Sequence, residues 1–514
     1  MRVGRALLSV YDKTGVDGFA RGLAQLGVEL VASGGTAAYL ADLGLEVTLV
    51  EDVTGFPELL GGRVKTMHPR IHAGILARRD RDDDLAALKE HDVGPIDLVC
   101  VNLYPFAQVA RQKDVREEDA VEMIDIGGPA MLRAAAKNFV DVVPLCSAER
   151  YDAVLAELLE AGDVSQSLRR ELAAEAFAHT AAYEAAIASW FADRETFPPR
   201  LVVSLEKEAD LAYGENPHQR GAYYAEGGVR RHLLSRVEQL GGKPLSYNNL
   251  ADLDAAQALL REFELPACVI VKHTNPCGCA VAADVVEAYE KALAADPVSA
   301  YGGVVVLNRK VEAPLAGRIA EQFVEVLAAP GFDDGALASL RTKEALRILD
   351  DRERRRVPPG ERAYQRVLGG FLVQDADSGV ADRAGMKVVA GTAPDEAGWG
   401  DVLFAWRVVK HVLSNAIVLA RGLQTLGIGA GQMSRVDAVR IALDKARDHG
   451  HSLDGAVLAS DAFFPFPDGP MLAVEAGVRT VVQPGGSKRD AEVVSAVEQA
   501  GATMVLSGRR HFRH

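Results

Sequence analysis

The chain has 514 residues, 48% of them hydrophobic and 25% charged, the mixture of ordinary globular proteins and not of disordered or fibrous chains. Its 57 Lys and Arg against 72 Asp and Glu leave a formal charge of -15, which argues against a nucleic-acid binder that relies on counterion release. No stretch reaches the roughly eighteen uncharged apolar residues a membrane span needs, and the start of the chain lacks the apolar core of a signal peptide, so a cytoplasmic protein is expected.

The length predicts two to four domains. Residues 1–197 hold 20 basic and 32 acidic side chains and residues 198–514 hold 37 and 40, so the two halves differ and anionic ligands must be held by local groups. The 48 glycines favour a turn-rich α/β architecture. Cys100, Cys146, Cys268, Cys277 and Cys279 are odd in number and lie mostly in apolar runs, as reduced thiols do.

In chain order, Ala6–Val10 reads as a strand, Gly15–Leu26 as a helix, Val28–Ala32 as a strand, Thr36–Leu43 as a helix and Glu46–Glu51 as a strand. Buried strands follow at Ile96–Val101 and Val140–Leu145, which predicts a parallel sheet covered by helices. Tyr151–Ala161 and Leu168–Phe191 are long and Ala-rich, hence helical, and Pro198-Pro199 closes them as a domain boundary. Strands and helices alternate again beyond it, with turn clusters at Gly214–Pro217, Thr274–Gly278, Tyr301–Gly303 and Gln483–Lys488. The charge runs Arg79–Asp84 and Asp350–Arg356 read as solvated loops or helix faces. No short repeat is visible, although a duplicated fold need not show in sequence.

Ser33-Gly34-Gly35-Thr36 follows a strand and opens a helix, a place where amide N–H groups can cradle a phosphate; a Gly turn with a Thr cap is the structural alternative. Ser9–Thr14 also follows a strand, where ligands of open parallel sheets bind. Arg63–Pro69 sets two cations, a hydroxyl and an imidazole side by side. His68 and His72 have the spacing of a zinc helix, but Pro69 and the missing glutamate speak against metal. Asp125-Ile126-Gly127-Gly128-Pro129 follows an acidic helix and leads into Met131–Lys137.

The strings LLSVYDKTG, ASGGTA, GGRVKTMHPRIHAGILAR, VNLYPF, IDIGGPAMLRAAAKNF and FAHTAAY together resemble the cyclohydrolase domain of the bifunctional AICAR transformylase/IMP cyclohydrolase family of purine biosynthesis, over residues 6 to about 190. The resemblance implies a methylglyoxal-synthase-like α/β domain over 1–146, a helical connector over 147–198, and dehydrative closure of formyl-AICAR to IMP. It makes Lys65, Tyr104, Asp125 and Lys137 the catalytic group, with Ser9, Lys13, Ser33, Gly35, Thr36, Arg63 and Thr66 on the nucleotide. The residue types suit the reaction. A weakly nucleophilic amide nitrogen attacks a formamide carbonyl, so Lys65 and Tyr104 can meet the oxyanion, Asp125 can take the proton, and Lys137 can keep that carboxylate ionised or assist loss of hydroxide. Tyr11 stands where the family has a small Ser.

Farther on, Cys268–Val271 reads as a strand running into Lys272-His273-Thr274-Asn275-Pro276. Neighbouring strand residues face opposite ways, so Lys272 and His273 serve one site only if the strand ends there. A nearby ammonium favours a neutral imidazole, which is available as a base. Cys277-Gly278-Cys279 lacks the zinc-deaminase spacing and the upstream His-x-Glu, so catalytic zinc is rejected. LAYGENPHQ, DPVSAYGG, KHVLSNAI, GIGAGQMSR, ASDAFFPF, QPGGSKRD and RHFRH, in this order, resemble the transformylase domain of the same family over 199–514.

That resemblance implies two cytidine-deaminase-like α/β subdomains without catalytic zinc, a homodimer with interfacial sites, and formyl transfer from 10-formyltetrahydrofolate to AICAR. His273 would be the base on the 5-amino group, Lys272 would assist the oxyanion and leaving nitrogen, and Asn415 would orient the formyl group. Tyr213, Gly214, Gly303, Glu325, Arg435, Asp461, Arg510 and Phe512 would line the pocket. AICAR, formyl-AICAR, IMP and folate are the implied ligands, with neither nucleic acid nor membrane as partner, no metal in catalysis, and room for a structural monovalent cation.

Ala212, Leu413 and Pro467 replace family cations, an Arg, a Lys and an Arg respectively. Two rivals remain at this point: a cyclohydrolase with a weak transformylase domain, and a purine-nucleotide-binding regulator that would leave Lys65, Lys272 and His273 idle. Restoring a cation by Ala212→Arg is expected to tighten AICAR binding by roughly 1–3 kcal/mol, the worth of a charge-assisted bond, checked by the apparent AICAR affinity.

Overall fold

The computed structural model describes the chain except residues 1, 113, 193–196, 228–236 and 353–360. It divides into two compact units, one running to Glu206 and one from Lys207 to His514, apart from a short excursion at Glu226.

The first unit is built on a five-stranded, all-parallel sheet in the order Thr48–Leu49, Glu29–Ala32, Arg5–Val10, Leu98–Asn102, Val143–Leu145. Both faces are covered, which is why the strands are apolar throughout. Ala6, Leu8 and Val10 turn to one core with Phe19, Leu23, Tyr151 and Leu158, whereas Leu7, Val31 and Val99 turn to a second with Ile71, Ile75 and Met131. The helices Tyr151–Ala161 and Gln166–Phe191 pack into this unit through Val154, Leu158, Leu172 and Ala176. Strand order reverses between Arg5–Val10 and Leu98–Asn102. In open parallel sheets the crevice beyond the carboxyl ends at such a switch point is the ligand site.

Three expectations are corrected here. Glu46–Glu51 yields only the two-residue strand Thr48–Leu49, after which Val50–Thr54 is helical, with Glu51 and Asp52 favourably placed in its first turn. The strand expected over Val140–Leu145 begins at Val143, because Asp141 and Val142 turn back onto the Asn138 carbonyl. Arg79 is not solvated: its guanidinium is buried against the carbonyls of Gly74 and Ile96 at 3.0 and 3.1 Å and faces Asp97 at 3.6 Å.

The second unit carries a twelve-stranded mixed sheet made of the same succession twice. In the first repeat, helix Tyr247–Leu260 precedes an antiparallel hairpin of Ala267–Lys272 and Asn275–Val281, and Gly303–Leu307, Val324–Ala329 and Arg347–Asp350 extend the sheet to an edge strand, Glu238–Gly241. In the second, helix Glu396–Val409 precedes the hairpin of Ile417–Arg421 and Gln424–Gly429. Val457–Ser460, Thr480–Gln483 and Thr503–Leu506 then lead to Lys387–Ala390. The repeats share one core, in which Phe263 and Phe404 lie 5.5 Å apart, and each has its own core on the opposite face.

The turn read at Thr274–Gly278 is therefore shorter than expected. It consists of His273 and Thr274, and Asn275–Val281 is a strand. Gly278 sits there because a Cβ would run into the Ala292 carbonyl of the covering helix. Asp350 and Asp351 are buried, the latter accepting from the Gln257 amide at 2.9 Å, and so are not solvated either; Arg352 is exposed and pairs with Asp350 at 2.6 Å, and 353–356 lie outside the described residues.

The repeats join where the strand Asn275–Val281 meets the strand Gln424–Gly429, in register at Ala280 and Gln424. Beside it the buried Thr425 hydroxyl accepts from the Cys279 N–H at 2.9 Å and donates to the Cys279 carbonyl at 3.2 Å. Thr425→Val strands that N–H and should cost about 1–3 kcal/mol, read as a lower unfolding midpoint that Thr425→Ser does not show.

Candidate active sites

At the switch point of the first sheet, the Asn102 side chain ends its strand by accepting from the Tyr11 and Asp12 N–H groups at 2.5 and 3.0 Å and donating to the Asp12 carbonyl at 2.8 Å. Thr36, inside the helix Gly34–Asp42, bonds both the N–H and the carbonyl of Val10. Lys13 Nζ reaches the Val10 carbonyl and lies 3.4 Å from the Thr36 hydroxyl, and burial lowers the pKa of this ammonium. Thr36 thus ties two loops together, while Ser9 and Ser33 are half-buried and Gly35 is exposed beside them.

Lys65 comes to the same place. Its Nζ lies 3.0 Å from where a Gly34 Cβ would stand and pairs with Glu58 at 2.6 Å and Glu51 at 3.6 Å. Tyr104 follows the neighbouring strand; burial, then the charge of Asp125, raises its pKa, and Lys65 opposes them. Its ring meets that of Tyr11 edge-on at 5.6 Å. Asp125 accepts from the Gly128 N–H at 2.8 Å, and burial raises its pKa against the pull of the Gly128 and Tyr104 amides. The Tyr183 hydroxyl accepts from the Asp125 N–H at 2.8 Å and donates to Met123. Thr66 is buried against Gly127, whose Cα leaves no room for a side chain there.

Two residues stand apart from this group. Arg63 is exposed and pairs with Glu122. Lys137 is exposed at the far end of the helix Gly127–Lys137, about 15 Å from its start at 1.5 Å per residue. Asn102, Glu51, Glu58 and Tyr183 were not singled out from sequence. Asn102 was visible as the polar residue closing a buried strand within VNLYPF.

In the second unit, Lys272 ends its strand and points Nζ at the Tyr301 carbonyl, 2.7 Å away, next to Gly303. His273 follows in the turn with its side chain exposed. From the other repeat, Asn415 Oδ1 accepts from Arg435 at 2.7 Å while its amide donates to the Gln432 carbonyl at 2.8 Å. Arg435 also pairs with the fully buried Asp461 and donates to Ser460 at 2.8 Å; the Ser414 hydroxyl donates to Asp461 at 2.5 Å.

Of these groups Asn415 and Arg435 border a cavity of about 660 Å³, lined also by Phe463, Phe466, Arg510 and Phe512 among others. The Arg510 guanidinium stands 4.4 Å over the Phe512 ring. Pro467 caps the helix Asp468–Glu475 and brings no cation, but Arg489 stands 4.8 Å over the neighbouring Phe466 ring. Asn275 ties the two clusters together, its side-chain oxygen accepting from the Leu413 N–H at 3.0 Å.

Tyr213, Gly214 and Glu325 belong elsewhere, at the start of helix Tyr247–Leu260. The Tyr213 carbonyl accepts from the Tyr247 N–H at 3.2 Å, Gly214 pairs with Gln219, and Glu325 accepts from the Asn249 amide at 3.0 Å. Among the described residues no cluster of three or more His, Cys, Asp or Glu is arranged to hold a metal ion.

An α/β domain with loops gathered at a switch point is followed by a duplicated α/β unit with an aromatic, cation-bearing cavity, two separate places suited to ligand binding. A model of MGS-like domains matches residues 15–130, and that of the AICARFT/IMPCHase bienzyme matches residues 135–445. A crystal structure of ForH is similar at 41% identity, covering 37% of this chain and 99% of that one, with a TM-score of 0.34. The chain belongs to the AICARFT/IMPCHase bienzyme family. It is a bifunctional transformylase and cyclohydrolase of the last two steps of IMP synthesis, with formyltetrahydrofolate as a substrate.

The buried Arg435–Asp461 pair carries its own test. Asp461→Ala leaves a guanidinium and the Ser414 hydroxyl without their acceptor, and a loss of about 3–5 kcal/mol is expected as a lowered unfolding midpoint of this unit.

Proposed function

We propose that the two reactions run in separate sites, each with its own proton acceptor. In the second unit, His273 takes the proton from the 5-amino group of AICAR as that nitrogen attacks the formyl carbon of 10-formyltetrahydrofolate. Lys272 meets the developing oxyanion and protonates N10 as the C–N10 bond breaks, giving tetrahydrofolate and formyl-AICAR. Asn415, held by Arg435, orients the formyl oxygen, and Phe512 and Arg510 supply a flat wall and a cation for the bound heterocycle and its anions. The cavity walled by Asn415, Arg435, Arg510 and Phe512 carries this reading. An aromatic amine beside a carboxamide is a poor nucleophile, which is why a base and a positioned acid are both needed.

In the first unit, the carboxamide nitrogen of formyl-AICAR attacks the formyl carbon, Asp125 takes its proton, and Lys65 and Tyr104 stabilise the oxyanion; loss of water then gives IMP. Support comes from the raised pKa of Tyr104, which keeps it a donor, and from the proximity of Lys65 and Asp125 to it. Ser9, Lys13, Ser33, Gly35, Thr36 and Thr66 are assigned to the nucleotide, where Thr36 contributes by fixing the loops. Arg63 and Lys137 take part only through movement of their exposed side chains. We assign cyclohydrolase to 1–146, a helical connector to 147–198 and transformylase to 199–514, whereas the two compact units divide at Glu206.

We also propose a cytoplasmic homodimer. Five unpaired thiols support a reducing compartment, no described helix is long and apolar enough to cross a membrane, and the family resemblance supports the dimer. A structural monovalent cation remains part of the proposal on that resemblance alone.

Single substitutions test the separation. His273→Ala should lower formyl transfer by about 10²–10⁴-fold and leave cyclisation of supplied formyl-AICAR intact, and Asp125→Asn should do the reverse, both followed by absorbance. A base works deprotonated and burial raises the Asp125 pKa. Cyclisation should therefore fall on acidification at a higher pH than an unperturbed aspartate would give, and Asp125→Asn should remove that limb.

A further inference from the structure

We propose that Asp252 is a positioning residue for formyl transfer, its carboxylate fixing the turn that presents the His273 imidazole; the inference rests on His273 being the base. The hairpin of Ala267–Lys272 and Asn275–Val281 closes on two residues, with Lys272 paired to Asn275. Both are left-handed, His273 at φ 53° and Thr274 at φ 61°. Two positive φ values in a two-residue hairpin loop call for Asn-Gly or Gly-Gly, and a β-branched Thr there is an outlier. Something outside the turn must hold it.

Asp252, on the helix Tyr247–Leu260, does so with both oxygens. Oδ2 accepts from the His273 N–H at 3.2 Å and Oδ1 from the Thr274 N–H at 2.6 Å. One carboxylate on two consecutive amides fixes the peptide between them and hence the direction in which the His273 side chain leaves the backbone. The His273 carbonyl is fixed as well, accepting from the Thr274 hydroxyl at 2.7 Å and the Asn275 amide at 3.1 Å.

The second repeat contains the same device without the chemistry. Asp401, on the helix Glu396–Val409, accepts from the Gly422 and Leu423 N–H groups at 2.9 and 2.8 Å, and those residues have φ 61° and 57°. There the first position is glycine, the residue that costs least. In the first repeat an imidazole occupies that position, so strain is retained where a side chain has a task.

The test uses the full-length protein with AICAR and 10-formyltetrahydrofolate, comparing Asp252→Asn, Asp252→Glu, Asp401→Asn and His273→Ala. The expectation is a kcat for formyl transfer about 10²-fold lower in Asp252→Asn, the effect of a misplaced reacting group, with little change in the KM for AICAR. Asp252→Glu, which keeps two oxygens on a longer arm, should recover part of that kcat and serves where the Asn variant does not fold. Asp401→Asn, which weakens the equivalent turn, should keep the parental kcat. Parental kcat in Asp252→Asn alongside an inactive His273→Ala overturns the positioning role alone, as does an equal loss in Asp401→Asn. Parental kcat in His273→Ala overturns the reading of His273 and the inference with it.

Discussion

The position of the groups proposed for formyl transfer is set by the seam between two repeats of one α/β unit. Lys272 and His273 lie at the tip of one hairpin, and Asn415 and Arg435 flank the other. The hairpins are neighbours because the strand Asn275–Val281 and the strand Gln424–Gly429 pair at Ala280 and Gln424. Thr425 closes the junction on Cys279, Lys445 reaches across to Asp296 at 2.5 Å, and Asn275 accepts from Leu413. These contacts, the first of them fully buried, leave little freedom to slide, since a slip of one residue would turn every apolar side chain of a strand to the wrong face.

The first unit solves a similar problem with different means. A parallel sheet carries no hairpins, so the groups proposed to react sit on loops where strand order reverses. Those loops are held by polar side chains that end strands or open helices, Asn102 for Tyr11 and Asp12, Thr36 for Val10, and Tyr183 for Asp125. Each bond joins segments far apart in sequence, so the crevice is shaped by fixed backbone, as preorganised electrostatic stabilisation requires.

Much of this was legible in the sequence. Strands with both faces buried read as unbroken apolar runs, and Arg5–Val10, Glu29–Ala32 and Ala267–Lys272 fall within a residue of their expected bounds. Legibility failed at edges and charges. Thr48–Leu49 is short because only Val31 and Ala32 pair with it, and Arg79 is buried because two carbonyls and a carboxylate meet it, neither of which a local pattern can reveal. In the candidate sites, the motif strings single out Lys65, Tyr104, Asp125, Lys272, Asn415 and Arg435, but not the partners Glu58, Tyr183 and Asp252, which lie outside those strings or serve other chemistry in them. Lys137 is a different case: it shares a motif string with Asp125, but the helix Gly127–Lys137 sets it about 15 Å from the helix start.

The claim that an imidazole at the hairpin tip and a cavity of the neighbouring repeat act on one substrate is tested most directly by a crystal structure with AICAR and an unreactive folate analogue. The account predicts a His273 ring nitrogen about 2.6–3.2 Å from the 5-amino nitrogen, with the folate ring in the cavity beside Asn415 and Phe512. Both ligands bound with no His273 imidazole within reach of that nitrogen would contradict it.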